Sequence, residues 1–414
     1  MIDTKKQNRH RLLSLWIIVC GLLYIFAYQF KFPFKADTFL YCMVVGLLLM
    51  TLFVGKVVIS LQVVLFFLVA VSSFIGLSYT KMPAEGLRET ILFAFFTVMF
   101  CLSLTNSDFV KLFAKWIYIV SIIVVLSSII HFIAPAWFNL LMRPIMREDA
   151  YRQLMWSYSV DNAFAGLSAY TPNMTFAAAV VFGNSLLNIV NKKERPIVKS
   201  KLLNIVLLLA SGFSIIICSK RSMFVATVVA LIVLMFYLYL GRNFFLRFVC
   251  VAVISSVALM ILYSTNEFVA SFFNRFVGED VTTGRNIIYE TLLSDFAKGN
   301  FLIGRGTGAT YELADSGAHN IYLQILYDHG IVLSIPYYTL LLCNYFFAFK
   351  NKCPLSIFVQ TIFLVYGLVG NPLYSNMLMM IYIYHVLLPT RMPKHANGIN
   401  GYRKARIILK EQRV

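Results

Sequence analysis

The groups able to do chemistry are a few cations and one imidazole in a chain otherwise poor in charge. Ser219-Lys220-Arg221-Ser222 makes a tight turn between two long apolar runs. Arg285 follows, then Arg305 within Gly304-Arg305-Gly306-Thr307-Gly308, then the pair His319-Asn320. An earlier stretch carries Arg143, Arg147 and Arg152. Guanidinium groups bind phosphate oxygens in a two-pronged geometry and do not lose their charge. An imidazole is near-neutral at physiological pH and can take a proton from a hydroxyl. Together these types suit a diphosphate held by the cations and a hydroxyl whose proton the imidazole takes. The plainer readings are solubilising charge for the arginines and a structural role for a lone histidine. His131 and His385, within apolar runs, keep that plainer reading.

Two other patterns are weaker. Gly304-x-Gly306-x-Gly308 looks like a phosphate loop but lacks the preceding strand and following helix of a nucleotide fold. A flexible turn bringing Arg305 and His319 towards the membrane is the more economical reading. The seven cysteines (Cys20, Cys42, Cys101, Cys218, Cys250, Cys343, Cys353) form no CxxC pair or His/Cys cluster, and read as small hydrophobes. The expected outer loops contain no Asp-x-Asp motif, so no metal and no cofactor is expected, and arginines are left to stabilise a developing anion.

What must position these groups is a set of membrane helices. Of the 414 residues 60% are hydrophobic and only 13% charged, more apolar surface than a soluble domain can hide. Runs such as Leu12 to Phe30, Val57 to Ser78, Leu202 to Cys218 and Met223 to Leu240 match the hydrocarbon thickness of a bilayer. About twelve helices are expected, near 12–30, 38–54, 57–78, 90–105, 112–135, 164–190, 202–218, 222–240, 244–263, 328–349, 354–370 and 373–389. The fold class is all-α and polytopic, a single membrane domain over 1–414. The first run reads as an anchor rather than a cleaved signal.

The net charge of +18 has an alternating distribution. Basic residues gather around 5–11, 192–201, 242–247 and 350–352 and in the tail 390–414, while the intervening loops hold Glu148, Asp149, Glu279, Asp280, Glu312 and Asp315. That asymmetry puts both termini in the cytoplasm and argues for anionic lipid, not nucleic acid, as partner of the basic tail. Two long loops then face outward, 136–163 and 264–329. The second carries a helical pattern that Thr282 or Thr283 would cap, running through Arg285, Ile288, Leu292 and Phe296 to Gly299, as a helix at the membrane interface. The sixth helix is interrupted at Tyr170-Thr171-Pro172-Asn173. Non-helical backbone at that depth must be buried in protein or line a cavity, unless the proline only kinks the helix.

His319-Asn320-x-Tyr322-Leu323-x-x-Leu326-x-x-x-Gly330 resembles the signature of the bacterial O-antigen ligase and polymerase superfamily. Ser219-Lys220-Arg221-Ser222 looks like that family's Ser-Arg turn, with Ser222 where glycine is common and Lys220 and Arg221 as rival equivalents. Arg285 followed by Leu302-x-Gly304-x-Gly306 looks like its loop motif. The resemblance spans roughly 160–340. It implies a glycosyltransferase of the bacterial cytoplasmic membrane that uses undecaprenyl-diphosphate-linked oligosaccharides at the outer face. His319, Arg285 and Arg221 are then the expected catalytic residues, and Lys220, Arg305, Asn320 and Arg152 the expected substrate-binding ones. Asn320 would hold the imidazole or cap the next helix. A repeat-unit polymerase making O-antigen or capsule polysaccharide is the expected activity, with a chain-length regulator and a flippase as possible partners. An O-antigen ligase acting on lipid A–core is the alternative within the family. A flippase is the alternative outside it, disfavoured because ionisable groups are sparse in the helices.

Overall fold

The computed structural model describes residues 2–54, 59–105, 107–190, 198–239, 284–314 and 317–391, with isolated positions between 257 and 274. Among these the chain is all-helical. The helices are α1 (Ile2–Ala27), α2 (Ala36–Val54), α3 (Leu61–Leu77), α4 (Pro83–Thr105), α5 (Ser107–Ile133), α6 (Pro135–Ile145), α7 (Glu148–Asp161), α8 (Thr171–Val190), α9 (Lys201–Ile217), α10 (Arg221–Tyr239), α11 (Arg285–Ala297), α12 (Ile321–Lys350), α13 (Pro354–Tyr366) and α14 (Asn376–Leu387). Within the described residues four helices are long and apolar enough to cross a membrane: Lys115–Ile133, Thr171–Val190, Arg221–Leu238 and Ile321–Lys350. Leu12–Ala27, Ala36–Leu52, Leu61–Leu77, Lys201–Ile217, Pro354–Tyr366 and Met377–Leu387 are shorter and equally apolar in character. The helix expected near 244–263 falls largely outside the described residues, as do Thr282 and Thr283.

Helices that neighbour in sequence pack as pairs, α1 on α2, α3 on α4 and α8 on α9, while α10 packs on α13 and α12 on α3. The middle is formed by α8, α13 and α14, whose residues are almost all buried. Small residues let backbones approach there: Ala177, Ala178 and Ala179 are fully buried, and a Cβ at Gly183 would collide with the Phe358 ring. Around them the outer helices present Leu12, Leu15, Trp16, Leu48, Leu52, Leu202, Val206 and Leu209, all exposed. A belt of that kind is tolerable only against lipid.

Several element boundaries differ from the apolar pattern. α4 and α5 begin several residues early because their first turns carry Glu85, Arg88 and Glu89, or Asp108 and Lys111, which are helical without being apolar. The first long loop folds into α6 and α7, tied to the end of α1 by Arg147 N–H donating to the Gln29 carbonyl at 2.9 Å and Lys31 N–H to that of Ile145 at 2.9 Å. The expected break near Pro172 is not a kink. α8 starts at Thr171, so Pro172 lies in its first turn, where no N–H is needed.

The preceding non-helical segment is buried in protein, and its donors are satisfied there. Phe164 N–H reaches the Ile217 carbonyl at 3.0 Å, Gly166 N–H the His131 Nδ1 at 3.4 Å, and Leu167 N–H the Ser127 Oγ at 2.9 Å. Gly166, at φ 58°, lies so close to the Ser127–Ser128 backbone that a Cβ would approach Ser128 N at 2.7 Å. His131 thus has a structural task. His385 has one too, with Nδ1 2.6 Å from the Ile381 carbonyl.

The glycine-rich stretch is also structural, and it corrects the reading of a free turn. α12 breaks at Gly330, which has φ 65° and ψ −174°. The break releases backbone groups that must find new partners. Ile331 and Val332 donate to the carbonyls of Phe301 and Leu302, both at 2.9 Å. The carbonyls of Tyr327 and Asp328 receive Arg305 N–H at 3.0 Å and Gly306 N–H at 2.8 Å. Residues 301–306 therefore splice the two halves of α12. Glycine is needed at 304 and 330 because the two backbones meet with no room for a Cβ on either. The place a phosphate would take near Gly308 and Thr310 is filled by the buried Asp328 carboxylate, which accepts from both backbone N–H groups and from Thr310 Oγ1 at 2.7 Å.

Candidate functional site

α10 opens after a turn in which Ser219 has φ 50°, and Phe224 N–H bonds back to the Lys220 carbonyl at 3.0 Å. Lys220 and Arg221 consequently sit at a helix N-terminus, where the backbone dipole also favours an anion. Ser222 Oγ is buried there without a hydrogen-bond partner among the described residues. α11 starts at Arg285 behind Gly284, which occupies the N-cap position and whose φ of 77° turns the chain.

His319 is held between these pieces. Its φ of 52° lies in the left-handed region, which costs a non-glycine residue about 1–2 kcal/mol. The structure fixes it from both sides. Tyr289 on α11 donates its hydroxyl to the His319 carbonyl at 3.3 Å and meets the Asn320 side chain. Asn320 Oδ1 accepts from Tyr322 N–H at 3.0 Å and Leu323 N–H at 3.1 Å, capping α12, while Ile321 N–H reaches the Gly367 carbonyl at 2.9 Å. The geometry thus shows Asn320 in one of the two roles considered for it, the cap of α12. Asn320→Ala should cost about 1 kcal/mol of stability in denaturant or thermal unfolding, and Asn320→Asp, which can still cap, only a few tenths.

Burial, reinforced by the charges of Arg285 and Lys220, pushes the His319 imidazole down to about 4. It is therefore uncharged near neutrality. The charges of Arg285 and Lys220 both act on the imidazole, which places these three expected residues near one another. Arg221 follows Lys220 at the same helix end.

Two expected residues stand elsewhere. Arg305 Nε is 2.9 Å from Asp295 Oδ2, and Nη2 donates to the Asp295 carbonyl at 2.5 Å, with Tyr327 Oη on the same carboxylate at 2.8 Å. It fastens α11 to α12. Arg152 lies on α7, largely exposed, pairing with Glu148 four residues earlier at 3.1 Å.

His319 also lines a cavity of about 330 Å³ at this end of the helices, together with Tyr28, Gln29, Arg88, Tyr170, Asn173, Tyr366, Asn371 and Ser375. The interrupted segment Tyr170 to Asn173 does line a cavity, as its position in an apolar run suggested. Arg88 was not apparent from sequence. It lies over the Tyr28 ring at 4.6 Å, with Asp37 4.0 Å away. A cation within the first two turns of an otherwise apolar helix was the available signal. Beside it the buried Glu89 accepts from Tyr337 Oη at 2.7 Å and lies 3.3 Å from His329 Nε2, linking α4 to α12 under the cavity.

A comparison with curated proteins finds no match for this sequence. Residues 205–338 match the family described as O-antigen ligase, and this stretch contains Lys220, Arg221, Arg285 and His319. Enzymes of that family are glycosyltransferase-like ligases and polymerases. Together with the all-helical, membrane-suited fold, the match over 205–338 bears out the resemblance and supports the place of this chain in the O-antigen ligase and polymerase superfamily.

Proposed function

We propose that the protein polymerises undecaprenyl-diphosphate-linked oligosaccharide repeat units at the outer face of the cytoplasmic membrane, by metal-independent inverting glycosyl transfer. The observation that carries this reading is the placement of His319, which faces the charges of Lys220 and Arg285 and also lines the cavity. Lys220, Arg221, Arg285 and the N-terminus of α10 bind the donor diphosphate. The acceptor hydroxyl gives its proton to the His319 imidazole and its oxygen attacks the anomeric carbon. The bond from that carbon to the diphosphate breaks, and the electron pair leaves with undecaprenyl diphosphate. The imidazolium then returns its proton to water. Negative charge grows on the leaving oxygen, where fixed cations in a site of low dielectric are most effective.

Donor binding also tunes the base. A diphosphate offsets Lys220 and Arg285, so the imidazole gains basicity only when the donor is in place. A general base works unprotonated, so activity falls as pH drops through its pKa. The acid limb of kcat/KM should lie near the depressed value of about 4, and that of kcat at higher pH. Coincident limbs near 6.5, the ordinary histidine value, would contradict this tuning.

Ligation to lipid A–core is the second reading, favoured by the description of the matching family. Polymerisation is preferred because the segment from His319 to Gly330 looks closer to repeat-unit polymerases. A gel of surface glycan from a deletion strain separates the two. Loss of a polymerase leaves single repeat units on the acceptor, and loss of a ligase leaves none.

A further inference from the structure

We infer that the cavity lined by Tyr28, Gln29, Asn173, Asn371 and Ser375 is the acceptor subsite, and that it takes a neutral, hydroxyl-rich sugar unit. The inference rests on the proposed roles of His319 and the cations, and assigns the space beside them. A base must touch the hydroxyl it deprotonates. His319 opens into this cavity, so the attacking hydroxyl comes from it. Among the described residues Lys220, Arg221 and Arg285 do not line it, while the charge of Arg285 reaches Tyr366 on its wall, so the cations stand beside this space rather than within it.

The lining has the chemistry of a sugar site. Amide side chains both donate and accept, matching the paired donors and acceptors of vicinal hydroxyls. Tyrosine rings offer flat apolar faces to the C–H face of a pyranose. Gln29 is 2% exposed, yet its Oε1 has no hydrogen-bond partner among the described residues. A buried acceptor left unsatisfied is costly, and a ligand hydroxyl would satisfy it. Asn173 Oδ1 is held by Ser375 Oγ at 2.7 Å, which orients its amide. Among the described lining residues the cation is Arg88, and Asp37 lies 4.0 Å from it, which lowers the net charge available to attract an acidic sugar. At about 330 Å³ the space suits a terminal sugar rather than a whole repeat unit.

The test uses full-length protein in lipid nanodiscs with two probes. The first is bare undecaprenyl diphosphate, for binding; the second is a lipid-linked repeat unit, for transfer. Gln29→Ala and Asn173→Ala should each raise the KM for the repeat unit about tenfold, with kcat within about threefold and the Kd for undecaprenyl diphosphate within about twofold. Ser375→Ala, which removes only the group orienting Asn173, is the milder variant, expected to raise KM about threefold. KM unchanged in Ser375→Ala and in whichever of the other two folds would overturn the subsite. So would a Kd for undecaprenyl diphosphate that rises in step with KM, because the cavity would then serve the donor. Failure of the donor assignment looks different: Arg285→Ala would leave undecaprenyl diphosphate binding intact.

Discussion

His319→Gln should fold normally and lose glycan transfer by about 10²–10⁴-fold. Glutamine keeps the approximate size and a polar tip but cannot take a proton from a hydroxyl. The neighbouring constraints remain, since Tyr289 holds the backbone carbonyl of residue 319 and the Asn320 cap acts on α12. His319→Gly sharpens the reading, because glycine adopts a φ of 52° without strain. It should therefore be no less stable than His319→Gln while equally inactive. Transfer within about threefold of the parent in either variant would remove the histidine from the chemistry, since loss of a general base is worth far more than that.

Arg285→Ala carries the second large effect, a fall of about 10²–10³-fold in kcat, the scale seen when a pre-positioned group stabilising an anionic transition state is removed. The affinity for undecaprenyl diphosphate should weaken as well. Arg285→Lys should recover part of both, because an ammonium restores charge but not the two-pronged contact. A further consequence follows from geometry. Arg285 is one of two charges holding the His319 imidazole down, so Arg285→Ala should let it titrate at higher pH than in the parent. Imidazole NMR resonances followed between pH 3 and 8 would read this, and an unmoved titration would mean the two groups are not neighbours.

The parts of this site visible from sequence are those where a residue contradicts its surroundings. His319, Arg285 and Lys220 are conspicuous because the chain around them is so apolar. A cap was one of the two roles legible for Asn320, because Asn is favoured immediately before a helical run. Arg305 was equally conspicuous, but its partner Asp295 sits ten residues back on α11, and no spacing rule joins them across the turn at Gly299. The glycines at 304, 306 and 308 imitated a phosphate loop, in which backbone N–H groups turn towards an anion. Here only Gly308 N–H meets a carboxyl group, that of Asp328 in the same chain, while the N–H groups of Gly304 and Gly306 meet the main-chain carbonyls of Asn300 and Asp328. Arg88, Gln29 and Asn371 were hidden for another reason: they come from α4, the turn after α1 and the segment before α14, and only the packing of distant helices brings them to His319. Among the described residues helix positions followed from apolar runs, whereas several starts did not, since polar first turns such as Glu85–Glu89 carry no hydropathy signal.

The most direct measurement is elongation of a defined undecaprenyl-diphosphate-linked repeat unit by the purified protein in nanodiscs, with EDTA present, products resolved by gel and mass. The parent should release undecaprenyl diphosphate and build a ladder of longer glycans, and both products should fall by at least about 100-fold with Arg285→Ala or His319→Gln. A ladder of undiminished yield from both variants, or a correctly folded parent that binds the lipid-linked unit and never extends it, would contradict cation-assisted polymerisation at this site.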